Sequence, residues 1–597
     1  MEVKSLFQLD GRLLFFAFQA GGNRLLQHQA EINNINVFPV NDKDTGTNLA
    51  STVRSVLDTI KPTKSYKETI YLIANNALMG ARGNSGIIFS QFLYGISCET
   101  PEKATISQAE FAESIKKSIP YIYEAVANPV EGTILTVIKD WSDFLSDKKH
   151  NSKSFSEIIV DSLELLNESL NETKLKMKML QQQNLVDAGA KGFVVFIEGV
   201  IDFIRSTNIR EFVFQSAMNI PLIHTEDIDY DIQFRFCTEA IIKNVNIGKT
   251  ELQYFLSDKG DSVVVAGSEK LCRVHVHTNN PAELFFRLKD FGTITFQKAD
   301  DMIRQNEAVT RRKWNIALVT DSTCDLSQEL TDFYQVYSLP LNINFGDNHY
   351  LDKVTITPDH FYDLLESSVE PPTTSQINEQ SFTNLYSHLA SHYDAIISVH
   401  LTSQFSGTYL NSVKAAEKIA AEFNKPVYTI DSKTLSGALG LLVLRVAQAI
   451  EAGLPIDKIV ELVEKCRTDA KIFVSVKDLK YMIKGGRVSK QKGYIANLLG
   501  INPIVSMDES GKSILFGQTF SQRANINKVM KQIKKISTGK TIWNYSVLHA
   551  HNPSGAQIYA DKMLILTGKQ PISVVDISPV IGMNAGSGTI AVSLLFD

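Results

Sequence analysis

Cysteine is scarce. The 597 residues hold five, dispersed as Cys98, Cys237, Cys272, Cys324 and Cys466. An odd, scattered set excludes a disulfide framework and points to a reducing compartment. No stretch approaches the ~20 consecutive apolar residues of a membrane span. The apolar run from Leu13 to Phe18 is short, follows Asp10 and Arg12, and continues into a polar helical pattern. A buried helix rather than a signal peptide is expected there, and the chain is expected to be cytoplasmic. Basic excess is absent too: the formal charge of -5 leaves no electrostatic footprint for nucleic acid. Neither the Walker lysine pattern nor a Gly-x-Gly-x-x-Gly after a strand occurs, which excludes P-loop and Rossmann assignments.

The bulk composition, 44% apolar and 21% charged, is that of a soluble globular protein. A chain this long divides into about three to five domains. Up to about residue 212 it reads as almost entirely helical, with Leu49, Val53, Val56, Leu57 and Ile60 marking one apolar face. Gly/Asn/Thr/Ser loops punctuate this region. From about 213 to 310 strands are expected at Phe234–Ile242, Ser262–Ala266 and Arg273–Thr278, with a helix from Pro281 to Asp290. From about 311 to 597 a strand, polar loop and helix recur, predicting a parallel sheet with ligand loops at the carboxyl ends of its strands. The helix after Gly407 is expected to bury Leu410, Val413, Ala416, Ala420 and Phe423. The fold class is thus an all-α domain, a small α/β middle domain and a C-terminal α/β domain, with boundaries at 1–212, 213–310 and 311–597.

The chemistry is concentrated in a few loops. Asn36-Val37-Phe38-Pro39-Val40-Asn41-Asp42-Lys43-Asp44-Thr45-Gly46-Thr47-Asn48 carries two carboxylates one residue apart before a helix. If the segment is extended, Asp42 and Asp44 share a side and suit Mg²⁺, a hard cation that prefers carboxylate and phosphate oxygens. Thr45, Gly46, Thr47 and Asn48 then offer hydroxyls, an amide and backbone N–H groups to phosphates. A helix N-cap in a polar turn is the alternative. A second glycine-rich loop, Gly80-Ala81-Arg82-Gly83-Asn84-Ser85-Gly86, also opens a helix and favours phosphate. In the middle region His275 and His277 point to one face of a strand, whereas Cys272 has the opposite parity. With Cys237 they form a Zn²⁺ candidate of one thiolate and two imidazoles. A structural or solvated His-x-His is the alternative.

These motifs, with Glu131-Gly132-Thr133-Ile134-Leu135-Thr136-Val137 and Asp187-Ala188-Gly189-Ala190-Lys191-Gly192, resemble the nucleotide-binding domain of bacterial fatty acid kinase, a relative of the DhaL-type subunit of dihydroxyacetone kinase. The resemblance implies a helical barrel that holds ATP or ADP through Mg²⁺. Asp42 and Asp44 would be the metal ligands, and Thr45, Gly46, Thr47, Asn48, Gly83, Asn84, Ser85 and Gly86 would lie near the nucleotide. The family usually has glycine between the two aspartates, where Lys43 stands here. The Cys-Thr-Glu and Val-His-Val-His-Thr-Asn sequences also look like that family's middle domain.

The last ~280 residues resemble the DegV family of fatty-acid-binding proteins. The matching segments are Val319–Thr323, Pro372–Gln376, Phe405–Tyr409, Ile430–Ser432 and Lys484–Arg487. The resemblance implies an apolar tunnel, with the acyl carboxylate bonded by Thr374, Ser375, Ser406 and Gly407. Near residue 584 the family usually shows a histidine, and this chain has Asn584. Asparagine can donate to a carboxylate but brings no positive charge, and a charge-assisted bond is roughly twice as strong as a neutral one. In the family, kinase and carrier are separate chains, and the kinase has a further C-terminal domain that is not found here.

The expected activity is ATP- and Mg²⁺-dependent phosphorylation of a long-chain fatty acid to an acyl phosphate, consumed by a downstream acceptor enzyme. A homodimer with transient membrane contact for lipid exchange is expected. The alternatives are a lipid-binding or sensing protein with a regulatory nucleotide site, and a glycerone-type kinase.

Overall fold

The computed structural model of the chain describes residues 8–38, 43–147, 149, 153–206, 232–368, 370–477, 481 and 502–597. Two compact units are distinguished, Met1–Asn280 with Leu288–Asn306, and Pro281–Arg287 with Glu307–Asp597.

The first unit begins with helices α1 (Gly11–Gln27), α2 (Gln29–Asn34), α3 (Thr45–Leu57), α4 (Tyr66–Gly80), α5 (Gly83–Glu99), α6 (Gln108–Ala125), α7 (Ile134–Leu145), α8 (Phe155–Lys176), α9 (Lys178–Gln183) and α10 (Ala188–Arg205). Their starts are written locally. Asp10, Ser65, Ser107, Ser154 and Asp187 each accept from a backbone amide of the first turn, and Ser107/Glu110 and Ser154/Glu157 form full capping boxes. Each such cap is worth about 1 kcal/mol. Helices α1, α4, α5, α6, α7, α8 and α10 pack in succession and close back on α1. The ring interior is apolar, with Phe89, Phe92 and Trp141 edge-on to Phe193. The run from Leu13 to Phe18 lies in α1, with Phe15 and Phe18 buried, and α3 buries Leu49, Val53 and Val56 as its spacing predicts.

The region is almost entirely helical, as expected, with one short ladder in which strands β1 (Gln8–Asp10) and β2 (Thr105–Ser107) pair antiparallel. Three residues are too few to carry a period, and the pairing joins segments far apart in the chain.

The middle part is an antiparallel sheet of order β4-β5-β3-β6. It comprises β3 (Phe236–Lys243), β4 (Asp261–Ser268), β5 (Leu271–Thr278) and β6 (Thr293–Asp301), with α11 (Lys249–Ser257) on β4. Helix α12 (Pro281–Leu288) precedes β6 and α13 (Met302–Thr310) follows it. The sheet docks on the helical ring within the same unit. Val264 and Ala266 pack on Leu78, Ile87 and Ala125, and Ala127 N donates to Val263 O at 3.0 Å.

Among the described residues the second unit holds three sheets. A four-stranded parallel sheet has order β13-β12-β7-β8 and consists of β7 (Ile316–Asp321), β8 (Tyr337–Leu339), β12 (Ala395–His400) and β13 (Val427–Asp431). A small sheet, β10-β9-β11, comprises β9 (Asn342–Phe345), β10 (Asn348–Leu351) and β11 (Thr373–Ser375). A six-stranded sheet has order β16-β15-β14-β19-β17-β18. Its strands are β14 (Ala470–Ser475), β15 (Asn502–Met507), β16 (Ser513–Thr519), β17 (Ile542–His549), β18 (Val574–Asp576) and β19 (Ile590–Phe596). The helices are α14 (Gln328–Phe333), α15 (Pro358–Ser367), α16 (Glu379–His392), α17 (Thr408–Phe423), α18 (Ser436–Glu451), α19 (Ile456–Cys466), α20 (Gln522–Ile536), α21 (Pro553–Thr567) and α22 (Pro579–Ala585). Helix α18, buried almost all round, touches β7 and β12 of one sheet and β14, β17 and β19 of the other.

Two expectations fail here. The parallel reading holds for the four-stranded sheet, but the six-stranded sheet is antiparallel except between β17 and β18. In α17 the buried residues are Thr408, Ser412, Ala415, Ala416 and Ile419, whereas Leu410 is 57% exposed. Apolar spacing misplaces part of the buried stripe because Thr408, Ser412 and two alanines share it with Ile419, small side chains fitting the close packing of that helix. Among the described residues no helix is long and apolar enough to cross a membrane.

Candidate functional site

Three groups of residues are candidates, two in the first unit and one in the second. At the first, the chain enters α3 through Lys43, whose φ is +52°, and Asp44, at φ -118° and ψ -6°. This is a turn and not the extended segment expected, so the shared-face argument for two carboxylates fails. Asp42 lies outside the described residues. The left-handed backbone at Lys43 accounts for a glycine being usual there, since a Cβ is disfavoured in that region. Asp44 makes no side-chain cap to the α3 amides; its Oδ1 accepts from Asn48 Nδ2 at 2.7 Å. The simple capping alternative is therefore not what Asp44 does.

The threonines serve packing. Thr45 Oγ1 donates to Asn36 Oδ1 at 2.9 Å, and Thr47 Oγ1 accepts from Gln29 Nε2 and Asn33 Nδ2 at 3.1 and 3.0 Å. Gly46 lies so close to α2 that a Cβ would fall 2.3 Å from Gln29 O. Gly83, at φ +57°, abuts Asn48: a Cβ would be 2.2 Å from Asn48 Nδ2. A Cβ on Gly189 would likewise meet Ser85 Oγ at 2.7 Å. Asp187, at the start of α10, is buried, accepts from Ala190 N at 2.7 Å, and is raised by burial to about 6. The loops at 44–48, 83–86 and 187–189 thus converge. Asn84 Oδ1 is buried among them with no hydrogen-bond partner. A carboxylate, an orphaned amide oxygen and close-approaching glycine backbone fit a divalent cation with phosphate oxygens.

Beside this lies the second group. Cys237 faces His277 across β3 and β5, and the ligand atoms of Cys237, His275 and His277 lie within 4.8 Å of one another. Cys237 Sγ is 3.9 Å from His275 Nδ1, and His277 Nδ1 is 3.2 Å from Asp261 Oδ1. Burial holds His275 neutral, near pKa 4, and pushes the Cys237 thiol well up, with Asp44 among the anions that raise it further. His275 Nε2 is buried without a partner. Two imidazoles, the His275 one held neutral by burial, and a thiol that a cation would deprotonate fit Zn²⁺, with Asp261 orienting His277 from behind.

Glu239, the last residue of the Cys-Thr-Glu sequence, and Arg273, neither given a role by the motif reading, complete this corner. Glu239 and Arg273 form an ion pair with side-chain exposures of 0% and 2%. Glu239 Oε1 accepts the Gly83 backbone N–H at 2.7 Å, and Arg273 Nη1 donates to Leu78 O and Met79 O at 3.3 and 3.1 Å. The signal was present in the sequence: Glu239 shares parity with Cys237, and Arg273 with His275 and His277, so charges sit at inward-facing strand positions.

The third group lines a cavity of about 250 Å³ in the second unit. Thr374, Ser375, Ser406, Gly407 and Asn584 all border it, together with Gln376. The walls are apolar, including Leu341, Leu401, Phe405, Ile472, Val505 and Ile581, and no charged side chain lines it among the described residues. Ser406 Oγ accepts from Thr408 N at 3.2 Å, as in an ordinary strand-to-helix turn. Asn584 Nδ2 donates to Val580 O at 3.2 Å, and its Oδ1 is buried and unpartnered. Such a lining suits an apolar chain with a small polar head. The segment Lys484–Arg487 lies outside the described residues.

The helical ring with its glycine loops, the small sheet beside it and the cavity-bearing α/β unit are those of a multidomain protein joining a kinase-type region to a DegV-type region. Residues 39–202 match the model of the DAK2 domain, 233–309 that of the fatty acid kinase-like middle domain, and 315–597 that of the DegV family. The chain therefore carries a dihydroxyacetone kinase-like domain, a fatty acid kinase-like middle domain and a DegV domain, and the first two imply nucleotide use. An uncharacterized protein of Staphylococcus saprophyticus is 32% identical over 320 residues, 51% of this chain and 57% of that protein. One from Staphylococcus aureus is 31% identical over 325 residues, covering 52% and 59%. The matched region thus spans somewhat over half the length of these relatives. Among solved structures, DegV of Bacillus subtilis, described as a fatty acid binding protein, is 26% identical, covers 48% of this chain and 100% of its own, and has a TM-score of 0.44. A DegV family protein from Thermus thermophilus, described by its fatty acid binding, is 25% identical over 47% of this chain and 99% of its own, with a TM-score of 0.43.

Proposed function

We propose that the chain is a fatty acid kinase with its kinase and lipid-presenting domains in one polypeptide, divided at 1–212, 213–310 and 311–597. The observation that carries this reading is the cavity: three separate segments bring Thr374–Ser375, Ser406–Gly407 and Asn584 to one mostly apolar space, in a chain that also holds a kinase-type domain. A small polyol, as in a glycerone-type kinase, would find no use for those apolar walls.

In the proposed reaction a long-chain carboxylate is held at its head by the hydroxyl and amide groups of Thr374, Ser375, Ser406, Gly407 and Asn584. It is already ionised at neutral pH, so no general base is needed. A carboxylate oxygen attacks the γ-phosphorus of ATP in line, the bond to the β-phosphate oxygen breaks, and acyl phosphate and ADP result. Asp42 and Asp44 would hold Mg²⁺, which when bound neutralises charge on the phosphoryl group. Thr45, Gly46, Thr47 and Asn48, together with Gly83, Asn84, Ser85 and Gly86, would form the cradle around the phosphates, with the Gly83 and Thr47 N–H groups holding the loops to Glu239 and Asn33 rather than donating to the ligand. Positioning and electrostatics thus carry the rate. Tethering carrier to kinase raises the effective concentration of the lipid head, to about mM for a short linker that permits contact. The product is a reactive mixed anhydride, consumed by an acyl-phosphate acceptor enzyme.

The test is direct. Purified protein is incubated with ATP, Mg²⁺ and a long-chain fatty acid, and acyl phosphate is trapped with hydroxylamine. Hydroxamate formation is expected. Tight fatty-acid binding without hydroxamate would replace this reading by a lipid-binding or sensing protein with a regulatory nucleotide site. The uncharged Asn584 at a position where the family usually has histidine is what favours that second reading.

A further inference from the structure

We propose that Glu239, backed by Arg273, is a positioning residue for the phosphate loop, so that the middle domain supplies part of the nucleotide site. This rests on the reading of the 83–86 loop as a phosphate cradle, and deepens it.

The argument begins with the Gly83 amide. Gly83 occupies the left-handed region at φ +57° and presses on Asn48, which in turn donates to Asp44. The amide is buried and donates to Glu239 Oε1 at 2.7 Å, across 156 residues of sequence. Removing the acceptor would leave that donor buried and unpaired, so the loop would have to rearrange. Glu239 cannot swing away, because Arg273 holds its second oxygen. The same guanidinium fixes the last carbonyls of α4, Leu78 and Met79, just ahead of the loop, and lies over the Phe296 ring. Loop entrance and loop amide are thereby fastened to one buried ion pair. Burying two charges is expensive and contributes little to stability. A buried pair that grips both the Gly83 N–H and the carbonyls ahead of it is explained by orientation rather than by stability. The Glu239 carboxylate also stands 3.8 Å from His275 Nδ1, so the cysteine–histidine cluster and the phosphate loop share one neighbour.

The experiment uses two paired variants of the full chain that both delete the ion pair and differ only in the acceptor offered to Gly83. Glu239→Gln/Arg273→Met keeps a carbonyl oxygen, and Glu239→Leu/Arg273→Met does not. Affinity for Mg·ADP is measured by calorimetry, and exchange of the residue 80–86 amides by hydrogen–deuterium mass spectrometry. Unchanged exchange at the ring helices α6–α8, in the same unit but away from the loop, serves as the check on folding. The leucine pair is expected to lose ~10- to 100-fold in ADP affinity, by the weight of one hydrogen bond to a charged group, and to exchange faster at the loop. The glutamine pair is expected to recover at least ~10-fold of that loss. Equal ADP affinity in the two variants, with equal exchange at Gly83, would overturn the proposal. If the unmodified chain bound no ADP the kinase reading would fail, while unequal exchange at Gly83 would still support the latch and equal exchange would refute it.

Discussion

Replacing Asp352 by asparagine tests how firmly one wall of the second unit's cavity is held. Asp352 is wholly buried; its Oδ2 accepts from Ser322 Oγ at 2.6 Å and its Oδ1 from Val580 N at 3.3 Å. Beside it, Asp325 Oδ1 accepts from Ser578 N at 3.1 Å and pairs with Lys353 at 2.6 Å. The two aspartates thus clasp the start of α22, the helix that brings Val580, Ile581 and Asn584 to the cavity. Burial raises the Asp352 carboxyl from 3.8 to about 7, with Lys353 acting in the opposite direction. Between those values the folded chain holds a proton that the unfolded chain releases. The stabilisation is therefore complete below about pH 4 and is lost as the pH rises through about 7. At about 1.36 kcal/mol per unit this amounts to about 4 kcal/mol, of which about 3 kcal/mol falls between pH 5 and pH 8. Asparagine offers the same acceptor to Val580 and an N–H to Ser322 Oγ, and does not titrate. Asp325 is also raised by burial and its charge helps to raise Asp352, so the difference between the two slopes, not either slope alone, is what reports on Asp352. Hydrogen exchange at the Val580 and Ile581 amides, corrected for intrinsic rate, is expected to show protection falling by about 2–3 kcal/mol from pH 5 to pH 8 in the wild type and far less in Asp352→Asn. Equal slopes, or weaker protection in the variant at both pH values, would mean that the ionised carboxylate is the native state and would refute the reasoning.

Other outcomes follow from single contacts. Lys43→Gly relieves a left-handed residue at φ +52°, and is expected to stabilise the ADP-bound domain by about 1 kcal/mol in thermal melts, with ADP affinity kept or improved. Asp44→Asn is expected to lower acyl-phosphate formation at least ~100-fold while fatty-acid affinity stays within ~2-fold, read by hydroxamate assay and calorimetry. Cys237→Ser is expected to drop zinc from about one per chain towards zero in elemental analysis of protein refolded with the metal, as loss of one of three ligands requires. Asn584→His is expected to tighten long-chain carboxylate binding by ~3- to 10-fold at pH 6 relative to pH 8, where imidazole loses its charge.

Legibility varied with the range of the interaction. The apolar face of α3 and the alternation in β5 were readable because each is written in consecutive residues. Parity alone set Cys272 apart from the two histidines. What the sequence did not carry was long-range partnering: β1 with β2, the antiparallel closure of β14 and β17 around β19, and Glu239 reaching Gly83. Leu410 misled because apolar identity is only a proxy for burial, and serine and alanine fit the tighter contact of α17. Lys43 misled differently. A left-handed turn there is a property of the backbone, and lysine gives no local sign of it. Thr45 and Thr47 were readable as a polar turn, but only the packing of α2 against α3 assigns their hydroxyls to Asn36, Gln29 and Asn33 rather than to a ligand.

The place of β19 in the six-stranded sheet has a consequence for biogenesis. The helical ring can close as soon as the chain has been made as far as Arg205, because every ring helix lies before it. The six-stranded sheet is different: Ile472 of β14 pairs with Ser593 of β19, and β19 also borders β17. Until Phe596 has left the ribosome, α18 lacks one of the sheets that cover it, and its leucine-rich surface is open to water. Pairings so distant in sequence form slowly and leave sticky surface exposed meanwhile. In a growing chain the helical ring would thus mature first, and the α/β unit would carry exposed apolar surface for longer before its cavity could close.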